Sequence, residues 1–68
     1  MLIFKHRKTG TIYRLLAHGI DETSVRAGLG VVVYCPLDTE HTVYVREERE
    51  FEMMFEMLGP EEMDRLGV

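Results

Sequence analysis

The sequence contains one cysteine, Cys35, among its 68 residues. A lone cysteine excludes a disulfide within the chain and any zinc site built from several cysteines. Cys35 directly precedes Pro36 at the end of an apolar run. We therefore interpret Cys35 as a small buried hydrophobic residue rather than as a nucleophile.

Positive charge is also scarce, with 8 Lys and Arg against 12 Asp and Glu and a net charge of −4. General affinity for nucleic acid depends on neutralising phosphates with Lys and Arg, so this balance argues against a nucleic-acid partner. The charge is uneven, because residues 5–14 are basic and residues 47–64 are mostly acidic. A local basic patch is therefore expected.

The sequence lacks a long apolar run and a signal-peptide pattern, so we expect a cytoplasmic protein without membrane contact. Its length indicates one small domain over residues 1–68. A chain of this size buries only about 60% of its unfolded surface, and dimerisation is a common remedy for a thin core. We expect a homodimer, because the predicted sheet also has unpaired edges.

The densest β-branched run is Val-Val-Val-Tyr-Cys at residues 31–35, and residues 42–46 follow after a short polar break. Such residues fit a half-buried pleated surface, so the two stretches predict a central hairpin. Pro36 ends the first of these strands, and residues 36–41 form the predicted turn.

Residues 2–6 and 11–17 predict an earlier hairpin, in which Gly10 can take the positive φ of the turn. Residues 18–30 are rich in turn formers and predict a long connection. The chain from residue 2 to residue 47 is therefore expected to be mainly β.

The apolar period changes from two to 3.6 near residue 48. Four apolar side chains lie at i, i+3, i+4 and i+7: Phe51, Met54, Phe55 and Leu58. This stripe predicts a main helix over residues 48–58 that packs on the valines of the central hairpin. Gly59 and Pro60 end this helix and start a short one over residues 60–66.

The fold class expected from these patterns is α+β. We predict a small twisted antiparallel sheet, or a partly open SH3-like barrel, of about four strands followed by a C-terminal helix.

Several short motifs follow one another across residues 4–55: Lys-His-Arg-Lys-Thr-Gly at 5–10, Tyr13, Glu22-Thr23, Val32-Val33-Tyr34, Val45-Arg46 and Phe51. Their order and spacing resemble domain-of-unknown-function family 1653, a family of small bacterial and phage proteins. Tyr44 stands where that family has Trp, and Glu47 where it has Pro. The resemblance implies a compact, mainly β domain with a C-terminal helix, and it brings no established activity.

Three tyrosines on three predicted strands, together with basic residues, make up the first candidate site: Lys5, His6, Tyr13, Arg14, Tyr34, Tyr44 and Arg46. These side chains could form a stacking, cationic surface for a nucleotide-like anion. The alternative is that the rings are half-buried sheet residues with wet hydroxyls, and we favour it because of the negative net charge. Arg46 could pair with a helix glutamate or contact a partner.

Two further pairs are candidates. Glu22 and Thr23 match the Glu-Thr of the family pattern and are interpreted as a pair that orders the loop. Met53 and Met57 lie four residues apart on the predicted helix and form a second apolar strip edged by glutamates. This strip could be a partner or dimer face, or a wider core face beneath the short helix.

Patterns of catalysis and metal binding are missing. His6, His18 and His41 do not have metal-ligand spacing. Ser24 lacks a nucleophile elbow, and Gly28-Leu29-Gly30 lacks the rest of a phosphate loop. We expect no catalytic residue, metal or cofactor.

The function expected from the sequence is non-enzymatic protein binding through a sheet edge or the methionine-rich helix. The family resemblance implies a phage or bacterial regulatory or counter-defence factor, acting in the host cytoplasm if phage-encoded. The alternative is a protein that binds a nucleotide-like small anion, which could lie between two subunits. A small hydrolase using His and Glu is the weakest hypothesis.

Overall fold

Five antiparallel strands and two helices form the structure, a computed structural model that describes residues 1–39 and 41–68. In chain order the elements are β1 (Ile3–His6), β2 (Ile12–Asp21), β3 (Leu29–Pro36), β4 (Tyr44–Glu47), α1 (Glu48–Met54), β5 (Phe55–Met57) and α2 (Pro60–Leu66). The strand order β4-β3-β2-β1-β5 places β2 at the centre. The expected α+β class is confirmed, but the described strands form an open sheet of five, so the barrel alternative is wrong.

Both predicted hairpins are present. β1 pairs with β2 across a turn in which Gly10 has a φ of +78° and donates its N–H to the carbonyl of His6 at 2.8 Å. β3 pairs with β4, although this hairpin lies at one side of the sheet rather than at its centre. The predicted turn at 36–41 includes Glu40, which lies outside the described residues.

The connection predicted over residues 18–30 is mostly strand. β2 and β3 stay paired as far as Asp21 and Leu29, so only residues 22–28 form the loop. Cross-strand pairing overrides the turn preference of the glycines there. β2 also contains a bulge. Leu15 pairs with Tyr34 and Ala17 pairs with the adjacent Val33, so Leu16 is an extra residue without a partner position on β3.

The main helix predicted over residues 48–58 is wrong beyond Met54. Residues 55–57 instead form β5, which pairs with the outer edge of β1 and satisfies backbone groups that a continuing helix would leave unpaired. The Arg7 N–H donates to the Met54 carbonyl, and the Leu58 N–H donates to the Ile3 carbonyl, each at 2.9 Å. α2 has the bounds expected from the sequence, with Pro60 in its first turn.

The main core lies on the sheet face that α1 covers, called the α1 face below. Val32 and Tyr34 of β3 are buried there against Phe51 and Phe55. The two phenylalanine rings are stacked, with centroids 4.3 Å apart and planes 9° apart. Burial of both rings against Val32 confirms that Phe51 and Phe55 pack on the β3–β4 hairpin, whereas the same expectation for Leu58 is wrong.

The opposite face, called the outer face, has a smaller buried region. Strand alternation places Ile3 and Cys35 there, and both are buried. The burial of Cys35 agrees with its interpretation as a small hydrophobic residue. Leu58 is buried too, outside the α1-face cluster, and lines a shallow cavity of about 190 Å³ together with α2 residues such as Leu66.

Replacing Phe55 with alanine should lower the free energy of unfolding by about 3–5 kcal/mol, because a fully packed ring leaves a cavity. Phe55 is 3% exposed and stacks on Phe51. Urea denaturation followed by circular dichroism measures this change. Met53→Ala is the control, since Met53 is 77% exposed on α1. Equal stability of the two variants would contradict the described core.

Candidate functional site

The three candidate tyrosines lie on the α1 face in one row of rings. Tyr34 pairs with Tyr44 across β3 and β4, with ring centroids 5.7 Å apart, and the Tyr13 ring is 5.4 Å from Tyr34 on the other side. Tyr34 is 3% exposed, so its ring is part of the core. Tyr13 is half-buried and Tyr44 is exposed. Tyr44 is therefore the one ring of this row that is largely accessible for stacking a ligand.

Arg46 is held within the protein by several contacts on the α1 face. Its Nε donates a hydrogen bond to the Tyr34 hydroxyl at 3.1 Å, and its guanidinium pairs with the carboxylate of Glu50 on α1. One guanidinium nitrogen also lies 3.2 Å from the Met54 sulfur. The hydrogen bond to Tyr34 raises the pKa of Arg46, with Glu50 adding to the effect. This geometry matches the internal ion pair of the two roles considered for Arg46.

The other candidate cations point to different places. Lys5 lies on the outer face and forms an ion pair with Glu56 at 3.4 Å. The His6 ring packs edge-on against Phe55, and its Nδ1 accepts backbone N–H groups of the β1–β2 turn. Arg14 donates from Nε to the Cys35 sulfur at 3.1 Å on the outer face. The structure thus does not bring Lys5, His6 and Arg14 together with Arg46.

Glu22 and Thr23 lie at the exposed end of the β2–β3 hairpin, away from the tyrosines. The residue that orders this loop is Asp21, whose carboxylate accepts the Thr23 N–H at 2.8 Å. This bond lowers the pKa of Asp21. The spacing of an aspartate two residues before the bonded N–H is an Asx-turn signal, which identifies Asp21 from sequence.

Met53 and Met57 do not form the expected helical strip. Met53 is on α1, whereas Met57 is on β5 and is 59% exposed, because the helix ends at Met54. Strand alternation places Met57 on the α1 face beside Phe4. Of these two methionines, Met57 alone lines a groove beside α1.

A groove beside α1, called the α1 groove, was not identified from the sequence. It has a volume of about 340 Å³, and its apolar lining includes Leu2, Phe4, Leu15, Val32, Phe51 and Met57. Glu48 and Glu52 of α1 supply polar groups, and His18 of β2 lines it as well. The volume is at the lower end of the range for ligand pockets, about 300–1,000 Å³. No local motif marks this groove, because it forms only when α1 packs on the sheet.

A second apolar surface lies on the outer face. Ala17, Val33 and Val45 are cross-strand neighbours on β2, β3 and β4, and Val31 lies beside them; these four residues are called the valine patch. Val45 is 63% exposed on the edge strand β4. Strand alternation places the patch opposite α1. The sequence indicated the valine strands but not which of their faces stays uncovered.

The described residues contain neither a cluster of metal-ligand side chains nor a helix that could span a membrane. Within residues 1–39 and 41–68, no three His, Cys, Asp or Glu side chains are grouped to hold a metal ion. The described helices are too short and polar to cross a membrane.

Arg46→Ala should lower the free energy of unfolding by about 1–3 kcal/mol, because the buried Tyr34 hydroxyl loses its hydrogen-bond donor. Chemical denaturation measures this loss. Arg49→Ala is the matched control on α1, where an exposed substitution should change stability by less than about 0.5 kcal/mol. An Arg46→Ala variant as stable as this control would contradict the structural role.

Comparison with known proteins found no protein similar to this chain. No family model matches it, and no curated protein and no solved structure matches it either. The resemblance to domain-of-unknown-function family 1653 therefore stays a prediction from the short motifs.

Proposed function

We propose that this protein is a non-enzymatic protein-binding module that docks through the valine patch and the adjoining edge of β4. The observation that carries the proposal is the uncovered apolar side chain of Val45 on an edge strand. The neighbouring Val43 is also exposed. Exposed apolar groups that adjoin one another on a sheet are typical of interaction surfaces.

The overall dimensions of the chain support the proposal that a partner covers part of its surface. The radius of gyration is 12.7 Å, whereas a compact chain of this length has about 10.9 Å. The accessible surface is 4961 Å², compared with about 4,400 Å² for a compact monomer of this mass. The chain is elongated, with extents of 42 × 24 × 20 Å. Binding of a partner would bury part of this additional surface.

The edge of β4 provides a second means of attachment. An edge strand presents N–H and C=O groups that can pair with a strand of another chain. A second copy is the first partner to test, because each copy carries the same edge and the same valine patch. A standard interface buries about 800 Å² per partner, which is about a sixth of the 4961 Å² surface.

The biological setting has separate support. A regulatory or counter-defence role in a phage or a bacterium rests on the family resemblance and stays a prediction. The alternative of a nucleotide-like ligand also stays a prediction, and the internal contacts of Tyr34 and Arg46 add nothing to it. Native mass spectrometry of protein purified from cells tests that alternative by detecting a retained ligand.

Val45→Glu should convert a dimer to a monomer, because it places a charge in the apolar centre of the proposed interface. Sedimentation should give the wild type a mass of twice 7.9 kDa and the variant 7.9 kDa. The variant should remain folded by circular dichroism, since Val45 is largely exposed in the single chain. Its melting temperature should fall to that of the monomer, because dimerisation stabilises the folded chain.

The control is Val25→Glu, which places the same charge in the exposed β2–β3 loop and should leave the dimer intact. If the wild type sediments as a monomer, the partner to test is another protein. Pull-downs with the wild type and with the Val45→Glu variant are then compared. Monomeric wild type together with identical pull-downs would refute the proposed docking surface.

A further inference from the structure

The α1 groove has an apolar interior that one large side chain could enter. Phe4 and Leu15 line it from β1 and β2, and Phe51 lines it from α1. The valine patch lies on the opposite face of the sheet, so the two surfaces do not overlap. The groove is therefore a separate surface, which extends the proposed protein-binding function.

The net charge at the groove is negative, because three glutamates and one arginine, Arg7, line it. Glu48 and Glu52 line the groove from α1, four residues apart, and neither forms an ion pair or a side-chain hydrogen bond with the described residues. Like charges at this spacing on a helix repel each other. Glu56 also lines the groove, but Arg7 and Lys5 lie 3.2 and 3.4 Å from its carboxylate oxygens. Glu48 and Glu52 thus provide the groove with two carboxylates that form no ion pair with the described residues.

The backbone beside Glu48 supports this position of its carboxylate. A Cβ at Gly30 would lie 2.7 Å from the Glu48 Oε2, so the glycine leaves room for the carboxylate against β3. Glu48 and Glu52 also line an adjoining polar cavity of about 460 Å³, together with Glu47 and Arg49. An apolar space and an excess of negative charge therefore lie next to each other.

We propose that the α1 groove binds a protein segment in which a bulky apolar residue stands beside Lys or Arg. The apolar side chain occupies the groove, and the basic side chain lies over Glu48 and Glu52. Charge complementarity selects a basic segment over an acidic one, while burial of the apolar residue supplies the anchor. The binding should weaken as salt increases, because the glutamates are at the surface.

Fluorescence anisotropy with three labelled peptides tests this proposal. The probes are Lys-Leu-Phe-Leu-Lys, its acidic counterpart Glu-Leu-Phe-Leu-Glu, and Lys-Ala-Ala-Ala-Lys, which lacks the apolar anchor. We expect the first peptide to bind more tightly than the other two. Glu48→Gln combined with Glu52→Gln should weaken its binding about five-fold, from about 0.5 kcal/mol per surface charge pair.

The matched control combines Glu61→Gln with Glu62→Gln, which removes the same charge from the exposed first turn of α2. This control should bind as the wild type does. Met57→Lys places a competing cation at an exposed position of the groove and should also weaken binding. Thermal melting of each variant confirms that it is folded, and NMR shift changes at Leu15 and Val32 should locate the peptide.

Equal binding of the acidic and basic peptides would overturn the proposal, as would wild-type affinity in the Glu48→Gln, Glu52→Gln variant. Shift changes confined to Val33 and Val45 would also overturn it while leaving the valine patch as a docking surface. Selective binding in the groove would support the proposal whether or not Val45→Glu abolishes dimerisation, because the two surfaces lie on opposite faces of the sheet.

Discussion

The contact of Tyr34 with the stacked rings of Phe51 and Phe55 joins the sheet to the helical segment. The Tyr34 ring lies 5.1 Å from Phe51 and 5.2 Å from Phe55. Such edge-on aromatic pairs contribute about 0.5–1.5 kcal/mol beyond the area they bury. Arg46 satisfies the Tyr34 hydroxyl, so the ring can be buried without leaving a polar atom unpaired. In a chain with so small a core, this cluster determines which sheet face α1 covers.

The strands could be predicted from the sequence more completely than the helix. Residues 31–35 and 42–46 combine β-branched and aromatic side chains, and local preference there agrees with the cross-strand pairing. The end of α1 could not be predicted, because Phe55 and Leu58 also fit a helical stripe. Pairing with β1 decides the outcome, and that partner lies about fifty residues away along the chain. No residue between Met54 and Leu58 is a helix breaker.

The candidate residues show the same limit. Strand periodicity places Tyr44 and Arg46 on one face, as the structure has them, but it does not tell whether that face is covered. The environment of Tyr44 and Arg46 depends on where α1 packs. From the sequence alone, the contact of Arg46 with a helix glutamate was therefore only one of two alternatives. The α1 groove and the valine patch are results of packing. Each combines residues distant in sequence, which no single motif could identify.

The bulge at Leu16 has a consequence for how the length of this chain can vary. β2 contains one residue more than strict alternation requires, and the bulge absorbs it. A chain without Leu16 would keep Leu15 and His18 on the α1 face and would only have a straighter strand. Loss of one residue from the middle of β3 would instead exchange side chains between the two faces. Shortening by one residue is therefore compatible with the fold in β2 and incompatible with it in β3.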